Sequence, residues 1–89
     1  MDVKFMNGVR ERLNKSPERE TLVIIHFASR IELMEVRRYL MNKYLKEIPP
    51  GSSDPKHPLA VNTHLSIGQI DDLVRYRCYG HIYVVGGKE

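Results

Sequence analysis

The 89-residue sequence is poor in cysteine and contains only Cys78. A single cysteine excludes an intrachain disulfide and a zinc site built from several cysteines. This composition is typical of proteins in a reducing compartment, so we expect the protein to act in the cytoplasm. We interpret Cys78, near the end of a predicted helix, as a packed thiol, because the sequence places no histidine to activate it.

Long apolar runs are also absent. Charged residues interrupt the N-terminal segment 1–15, whereas a membrane-spanning helix needs about 20 consecutive apolar residues. We therefore expect neither a secretion signal nor a contact with the membrane.

The surplus of positive charge is small, since 14 Lys and Arg residues face 11 Asp and Glu residues and the formal net charge is +3. Proteins that coat nucleic acid usually have a larger basic surplus, so net charge gives limited support to nucleic acid as a partner. The length fits one domain over residues 1–89 with one small core.

The motifs of several chemistries are missing as well. The sequence has neither a G-x-x-x-x-G-K-[ST] nor a G-x-G-x-x-G motif, and neither a C-x-x-C nor an H-x-x-x-H pair. We therefore predict no cofactor and no metal site. Asp71 and Asp72 are adjacent on a predicted helix and diverge by about 100°, so we interpret them as partners of the helix dipole rather than as a catalytic pair.

The apolar pattern predicts three helices and three strands. In chain order these are a helix over 1–15, a strand over 21–28, a helix from 30 to about 46, a strand over 59–64, a helix from 67 to about 78 and a strand over 81–85. The segment 48–58 contains four prolines and a glycine and is predicted to be a long flexible loop.

Three local signals support these assignments. The first helix depends on the three- and four-residue spacing of its apolar residues. The strand 21–28 is an unbroken run of β-branched and aliphatic residues. The later helices each begin with a capping box, at Ser29 with Glu32 and at Ser66 with Gln69. Gly80 is predicted to be the glycine that ends the last helix.

The order of the elements predicts an α/β fold. Each connection between strands contains a helix and is long enough for a parallel crossover. We predict a small three-stranded parallel sheet with two crossover helices and an additional N-terminal helix. The apolar strand 21–28 is placed at the centre, which gives the order 2-1-3 and puts the crossover helices on opposite faces. The alternative order, 1-2-3, puts both on one face.

A ligand site is expected at the carboxyl edge of this sheet. The order 2-1-3 places Ser29 and Arg30, at a helix N-terminus, next to the glycines that precede Lys88. Free backbone N–H groups and cations favour an anion. We predict an anion site of Ser29, Arg30 and Lys88, with His26 and His64 as candidate catalytic groups for proton transfer.

Each of these residues also has an alternative interpretation that requires no ligand. Ser29 is fully explained as a helix cap. The segment 86–88 is equally explained as a chain end. His26, in an apolar strand, is equally explained as a hydrogen-bonded interior residue.

The helix from residue 30 has an apolar arc that covers about half of its circumference. Arg37 lies near the middle of this arc, and Arg30 lies on nearly the same line. Either the arc contains two stripes, one for the sheet and one for a second subunit, with Arg37 between them, or Arg30 and Arg37 point toward an anion. The first alternative predicts a homodimer. The residues of the arc are Leu33, Met34, Val36, Leu40, Met41, Tyr44 and Leu45.

Three functions are compatible with these features. The first is a homo-oligomeric binding or regulatory module that contacts nucleic acid or another anionic partner through a basic helix. The second is a small enzyme acting on a phosphorylated or carboxylated substrate at the sheet edge. The third is a structural subunit of a larger complex. The basic residues of the helix are Arg30, Arg37, Arg38, Lys43 and Lys46.

Overall fold

A computed structural model of the protein describes residues 2–52, 54–76 and 80–86. It is a small mixed α/β fold with a four-stranded sheet and three helices, described here from the residues within those ranges. The elements are β1 (Asp2–Phe5), α1 (Val9–Lys15), β2 (Thr21–His26), α2 (Arg30–Tyr44), β3 (Ala60–Leu65), α3 (Ile67–Arg75) and β4 (His81–Val84).

The strand order is β1-β4-β2-β3. The predicted neighbours of the central strand are confirmed, because β2 lies between β3 and β4. The predicted parallel direction is wrong, because β2 is antiparallel to both of these strands, while β1 and β4 are parallel to each other. The sheet is therefore mixed, with β2 as the one described strand that runs against the others.

The reason for the reversal is the long connection after α2. Helix α2 has 15 residues and is about 22 Å long. Residues 45–59 then lead back to the end of the sheet where β2 finished, so that Ala60 is the register partner of His26. A connection that consisted of a helix alone would have started β3 at the opposite end of the sheet, where β2 begins.

The N-terminal segment is not one helix, as predicted, but a strand followed by a short helix. The N–H of Asp2 donates to the Gly80 carbonyl at 3.2 Å, and that of Met6 donates to the Val84 carbonyl at 3.0 Å. Gly8, with φ of 75°, separates the two elements. Pairing with β4 outweighs the helical spacing of the apolar residues, which is accidental in this segment.

One face of the sheet packs against all three helices of the described chain. Alternate residues of each strand point into a single core, to which every helix contributes. The expectation of helices on opposite faces is therefore wrong. The other face carries no helix, and we call it the open sheet face. Its residues are Asp2, Lys4, Leu22, Ile24, His26, Ala60, Asn62, His64, His81 and Tyr83.

The core contains one hydroxyl group that lacks a hydrogen bond within the described residues, Thr21 Oγ1. Thr21 is only 3% exposed. Thr21→Val should raise the free energy of unfolding by about 1 kcal/mol, because it removes an enclosed polar atom at nearly constant shape. Urea unfolding followed by circular dichroism measures this change. A lower stability of the variant would show that the hydroxyl has a partner.

In the part of the chain that the structure describes, no helix has both the length and the apolar character needed to cross a membrane.

Candidate functional site

The predicted cleft at the carboxyl edge of the sheet is not formed. Ser29 and Arg30 follow the carboxyl end of β2, but His64 is paired with Leu22 near the start of β2. The N–H of Gly86 donates to the Leu22 carbonyl at 3.3 Å, so the chain after β4 also leaves at that far end. Because β2 runs against its neighbours, the expected groups are separated by the length of the strand.

The predicted residues have separate surroundings. The Ser29 hydroxyl accepts a hydrogen bond from the Glu32 N–H at 3.1 Å and caps α2. Arg30 is exposed in the first turn of α2. His26 is half-buried on the open sheet face. Lys88 and Cys78 lie outside the described residues.

Arg37 is the predicted site residue whose surroundings are most informative. It is half-buried, and its Nε donates to the Ile48 carbonyl at 3.1 Å. Ile48 is itself buried in the core. Arg37 thus ties the chain after α2 to the helix and lies between two apolar stripes, in the position that the two-stripe interpretation expects.

The two stripes differ in exposure. The inner stripe, Leu33, Val36 and Leu40, is fully buried against the sheet. The outer stripe of α2 consists of Ile31, Met34, Arg38, Met41 and Leu45, which repeat at alternating spacings of three and four residues. Its apolar members are exposed by 72% (Ile31), 54% (Met34), 38% (Met41) and 85% (Leu45). An apolar line with this spacing is typical of helices that pack against another helix.

Leu45 has a further peculiarity. It ends α2 with φ of 54° and ψ of 33°, the left-handed conformation. Glycine usually occupies this position, because a side chain there costs roughly 1 kcal/mol. A leucine with this backbone and this exposure lowers the stability of the isolated chain without contributing to its core.

A shallow groove of about 240 Å³ lies beside the outer stripe. Methionines and the buried Ile48 supply its apolar part, and two arginines and a glutamate supply its charges. This combination suits a partner with both apolar and charged groups. The lining residues are Met34, Arg37, Arg38, Met41, Glu47 and Ile48.

The basic charge of α2 and of the residue Lys46 that follows it is partly neutralised within the chain. Lys43 forms an ion pair with Asp72 at 2.7 Å, and Lys46 forms one with Glu20 at 2.5 Å. Within the described ranges, Arg30 and Arg38 form no hydrogen bond or ion pair. The cations available to a partner on this helix are therefore these two arginines.

Asp72 is the centre of a polar cluster that the sequence interpretation missed. Its carboxylate accepts hydrogen bonds from the hydroxyl of Tyr39 at 2.8 Å and from that of Tyr44 at 2.5 Å, in addition to the Lys43 ion pair. The Tyr39 ring also stacks on Tyr76, with centroids 4.5 Å apart. This cluster joins α2 to α3. The spacing of 39, 43 and 44 places these groups on one side of α2, but only the packing of α3 brings Asp72 to them.

The cluster changes the acidity of its members. The pKa of the Asp72 carboxyl falls from 3.8 to about 2, chiefly because Lys43 and then Tyr44 donate hydrogen bonds to it. The same contact raises the pKa of the Lys43 ammonium well above its usual range. The pKa of Tyr44 is also raised, because its hydroxyl donates to the carboxylate. These shifts favour the ionised Asp72 and the ionised Lys43, and thus a stable cross-link between helices.

The four histidines lie on or beside the open sheet face, and His64 is near the opposite end of the strands from His26. His26, His64 and His81 are on strands of the open sheet face, and His57, in the loop before β3, packs against His26 with ring centroids 6.2 Å apart. The Tyr83 ring contacts His26 from the other side at 5.4 Å. Within residues 2–52, 54–76 and 80–86, no group of three or more His, Cys, Asp or Glu side chains is placed to hold a metal ion.

The two surfaces that remain as candidates are thus the outer stripe of α2 and the open sheet face. Comparison of the chain with models of protein families, with curated proteins and with solved structures finds no match.

Proposed function

We propose that the protein is a small binding module that self-associates through the outer stripe of α2 and acts in the cytoplasm. The observation that carries this proposal is the exposed apolar line of α2, which ends in a leucine with left-handed backbone. A second copy is the occupant with the best match, because a helix with three- and four-residue apolar spacing is complementary to another of its kind.

In a two-fold arrangement, carboxylates beside the stripe can offset the charge of its central arginine. Arg38 is the central residue of the stripe, so it lies near the axis when two α2 helices pack antiparallel. Glu35, one turn before it, lines a second shallow pocket together with Arg38, and Glu47 lines the groove beside the stripe with it. Each Arg38 can then pair with a carboxylate of the other copy.

The size of the stripe limits the strength of this association. A contact along about 22 Å of one helix buries less surface than the roughly 800 Å² per partner of a standard stable interface. We therefore expect a dissociation constant on the order of 10 µM or weaker. Self-association at this strength depends on concentration, which suits a regulatory module.

We further propose that Arg30, which is exposed in the first turn of α2 and lies outside the stripe, contacts an anionic partner. One cation of each helix is a modest basic surface, so this contact supplies attraction rather than sequence recognition. The enzyme alternative is not proposed, because the cleft that it requires is not formed.

The association is tested by replacing both methionines of the stripe. The variant with Met34→Glu and Met41→Glu should be monomeric, because four carboxylates would meet at the interface of the dimer. Light scattering and sedimentation velocity from 5 to 300 µM measure the mass, which for the wild type should rise toward twice the chain mass of 10.4 kDa. Val74→Glu is the control, since Val74 is an exposed apolar residue on α3.

Leu45→Gly provides a second test with two opposite readouts. Because glycine suits the left-handed backbone, the monomer should become more stable by up to about 1 kcal/mol. Because a large exposed side chain of the stripe is lost, association should weaken. A wild type that stays monomeric at 300 µM, or a methionine variant that associates as the wild type does, would refute the proposal.

A further inference from the structure

The two methionines of the outer stripe are accessible to small molecules. Met34 and Met41 are exposed by 54% and 38%, and both line the shallow groove beside the stripe. They are seven residues apart on α2, about two helical turns, so they lie on the same side of the helix. A methionine thioether is an apolar group that mild oxidants convert into a polar sulfoxide, and reductase enzymes reverse the change. Two of the four apolar positions of the stripe can therefore change polarity reversibly.

Arg38 distinguishes these two positions from other exposed methionines. It lies four residues after Met34 and three residues before Met41, the spacings at which side chains of a helix are neighbours. It lines the same groove, and within the described residues it forms no hydrogen bond or ion pair. A thioether sulfur is only a weak acceptor, whereas a guanidinium group carries five N–H donors. Oxidation of either methionine thus places a polar acceptor oxygen beside a donor that has no other partner in the described chain.

An oxidised stripe is a poorer partner for a second copy, for two reasons. A sulfoxide would be enclosed in an apolar contact, where a polar group without a hydrogen bond is costly. A sulfoxide that does bind Arg38 of its own chain competes with the carboxylate of the other copy for the same N–H groups. Neither effect requires the chain to unfold, because both methionines lie outside the buried core.

We propose that Met34 and Met41 are redox modification sites, and that their oxidation by hydrogen peroxide releases the self-association of the outer stripe. A sulfur lone pair attacks one peroxide oxygen and the O–O bond breaks. The sulfur is oxidised to the sulfoxide, while the other oxygen leaves as hydroxide and takes up a proton to give water. The reverse step oxidises two thiols of a reductase to a disulfide and releases the sulfoxide oxygen as water. The inference rests on the proposed function, since it regulates the interface proposed there.

Met6 is an internal reference for this chemistry. It is 50% exposed and lies between β1 and α1, outside the stripe, so association should shield Met34 and Met41 but not Met6. Raising the protein concentration from 1 to 100 µM converts a mostly monomeric chain into a mostly dimeric one when the dissociation constant is on the order of 10 µM. The initial oxidation rates of Met34 and Met41 should then fall about threefold relative to that of Met6. Peptide mass spectrometry with peroxide in large excess measures these rates.

Sedimentation velocity at 100 µM, before and after peroxide treatment, is the main test. The reduced wild type should sediment mainly as a dimer. The oxidised protein, heavier by about 16 Da per sulfoxide, should sediment mainly as a monomer, because the dissociation constant should rise about a hundredfold or more. Methionine sulfoxide reductases for both sulfoxide epimers, with dithiothreitol, should restore the original mass and the dimer. Circular dichroism should stay unchanged throughout.

Variants assign the effect to the stripe. Met34→Leu with Met41→Leu keeps the stripe apolar and removes both thioethers, so this variant should associate as the wild type does and stay associated in peroxide. Met6→Leu is the matched control, since it removes an exposed methionine outside the stripe, and its association should be lost on oxidation as in the wild type. The Nε–H resonance of Arg38 should shift when the wild type is oxidised. Dissociation without that shift would overturn the role of Arg38.

The outcomes separate this inference from the self-association itself. The inference alone is overturned if the reduced wild type dimerises and the oxidised protein dimerises equally well. It is also overturned if the double leucine variant dissociates in peroxide, or if oxidation removes the circular dichroism signal of the fold. A reduced wild type that stays monomeric at 300 µM overturns both the self-association and its regulation.

Discussion

Gly80→Ala should destabilise the protein by about 3 kcal/mol or more, because a side chain at this position would overlap with the backbone. A Cβ atom built there lies 2.3 Å from the His26 carbonyl oxygen and 3.1 Å from the Phe27 Cα. Neither atom can move without displacing the end of β2. The free energy of unfolding of an 89-residue domain is about 5–13 kcal/mol, so the loss is a large part of the total.

Urea unfolding of the variant measures this loss, and Gly68→Ala is the matched control. A Cβ atom at Gly68, in the first turn of α3, meets nothing within 4 Å. The same substitution there should leave stability unchanged or raise it by up to about 1 kcal/mol, since alanine is the better helix former. Equal stability of Gly80→Ala and the wild type would show that β2 and β4 are farther apart than described here.

Asp72→Asn should lower the free energy of unfolding by about 2 kcal/mol at pH 7. The substitution removes the charge that Lys43 pairs with and weakens the acceptor for the hydroxyls of Tyr39 and Tyr44. Hydrogen bonds to charged groups contribute about 1.5–3 kcal/mol each, but half of the Lys43 side chain is exposed, and solvent screening reduces its share. We therefore expect a loss of about 2 kcal/mol for the whole cluster, which is less than the sum over its three contacts.

The pH dependence of the free energy of unfolding identifies the Asp72 carboxylate as the cause of this stabilisation. The folded-state pKa of Asp72, about 2, is below the ordinary value of 3.8. The stabilisation is therefore complete above about pH 4 and is lost as the pH falls toward 2. Unfolding at pH 7, 4, 3 and 2 should show the wild type and Asp72→Asn approaching each other. Asp71→Asn is the control, and a constant gap between Asp72→Asn and the wild type would contradict this explanation.

The sequence predicted the elements whose signals are local. The β-branched run of β2 and the capping residues Ser29 and Ser66 gave two helix starts and the central strand at the observed places. The segment 2–5 was missed, because four residues are too few to show strand alternation against an overlapping helical spacing. Its strand exists through hydrogen bonds to β4, which lies far away in the sequence.

Strand direction was not predictable from the same signals. The direction of β3 depends on whether the chain after α2 returns to the end of the sheet where β2 finished or starts β3 at the opposite end. The proline-rich residues after α2 are compatible with both paths. Arg37 contributes to the observed course by holding the Ile48 carbonyl. The position of Arg37 between two stripes could be derived from the helical wheel, but the carbonyl partner could not.

The candidate surfaces show the same division between local and long-range information. The outer stripe of α2 follows from residue spacing within one helix, and the arc was recognised from the sequence. The histidines of the open sheet face could be placed on one surface only from the register of three strands, since His26, His64 and His81 are far apart in the chain. Asp72 was read as a helix-dipole residue because its tyrosine partners belong to another helix.

The pairing of β1 with β4 has a consequence for the order of events during biosynthesis. Strand β1 is an edge strand, and β4 is its one neighbour in the described sheet. As the polypeptide leaves the ribosome, the backbone of residues 2–5 must stay hydrated until the segment 81–84 has been translated. Closing so long a loop is slow compared with forming a local hairpin or helix. The nascent chain can form β2 and α2 early, whereas β1 pairs with the sheet only after β4 has formed.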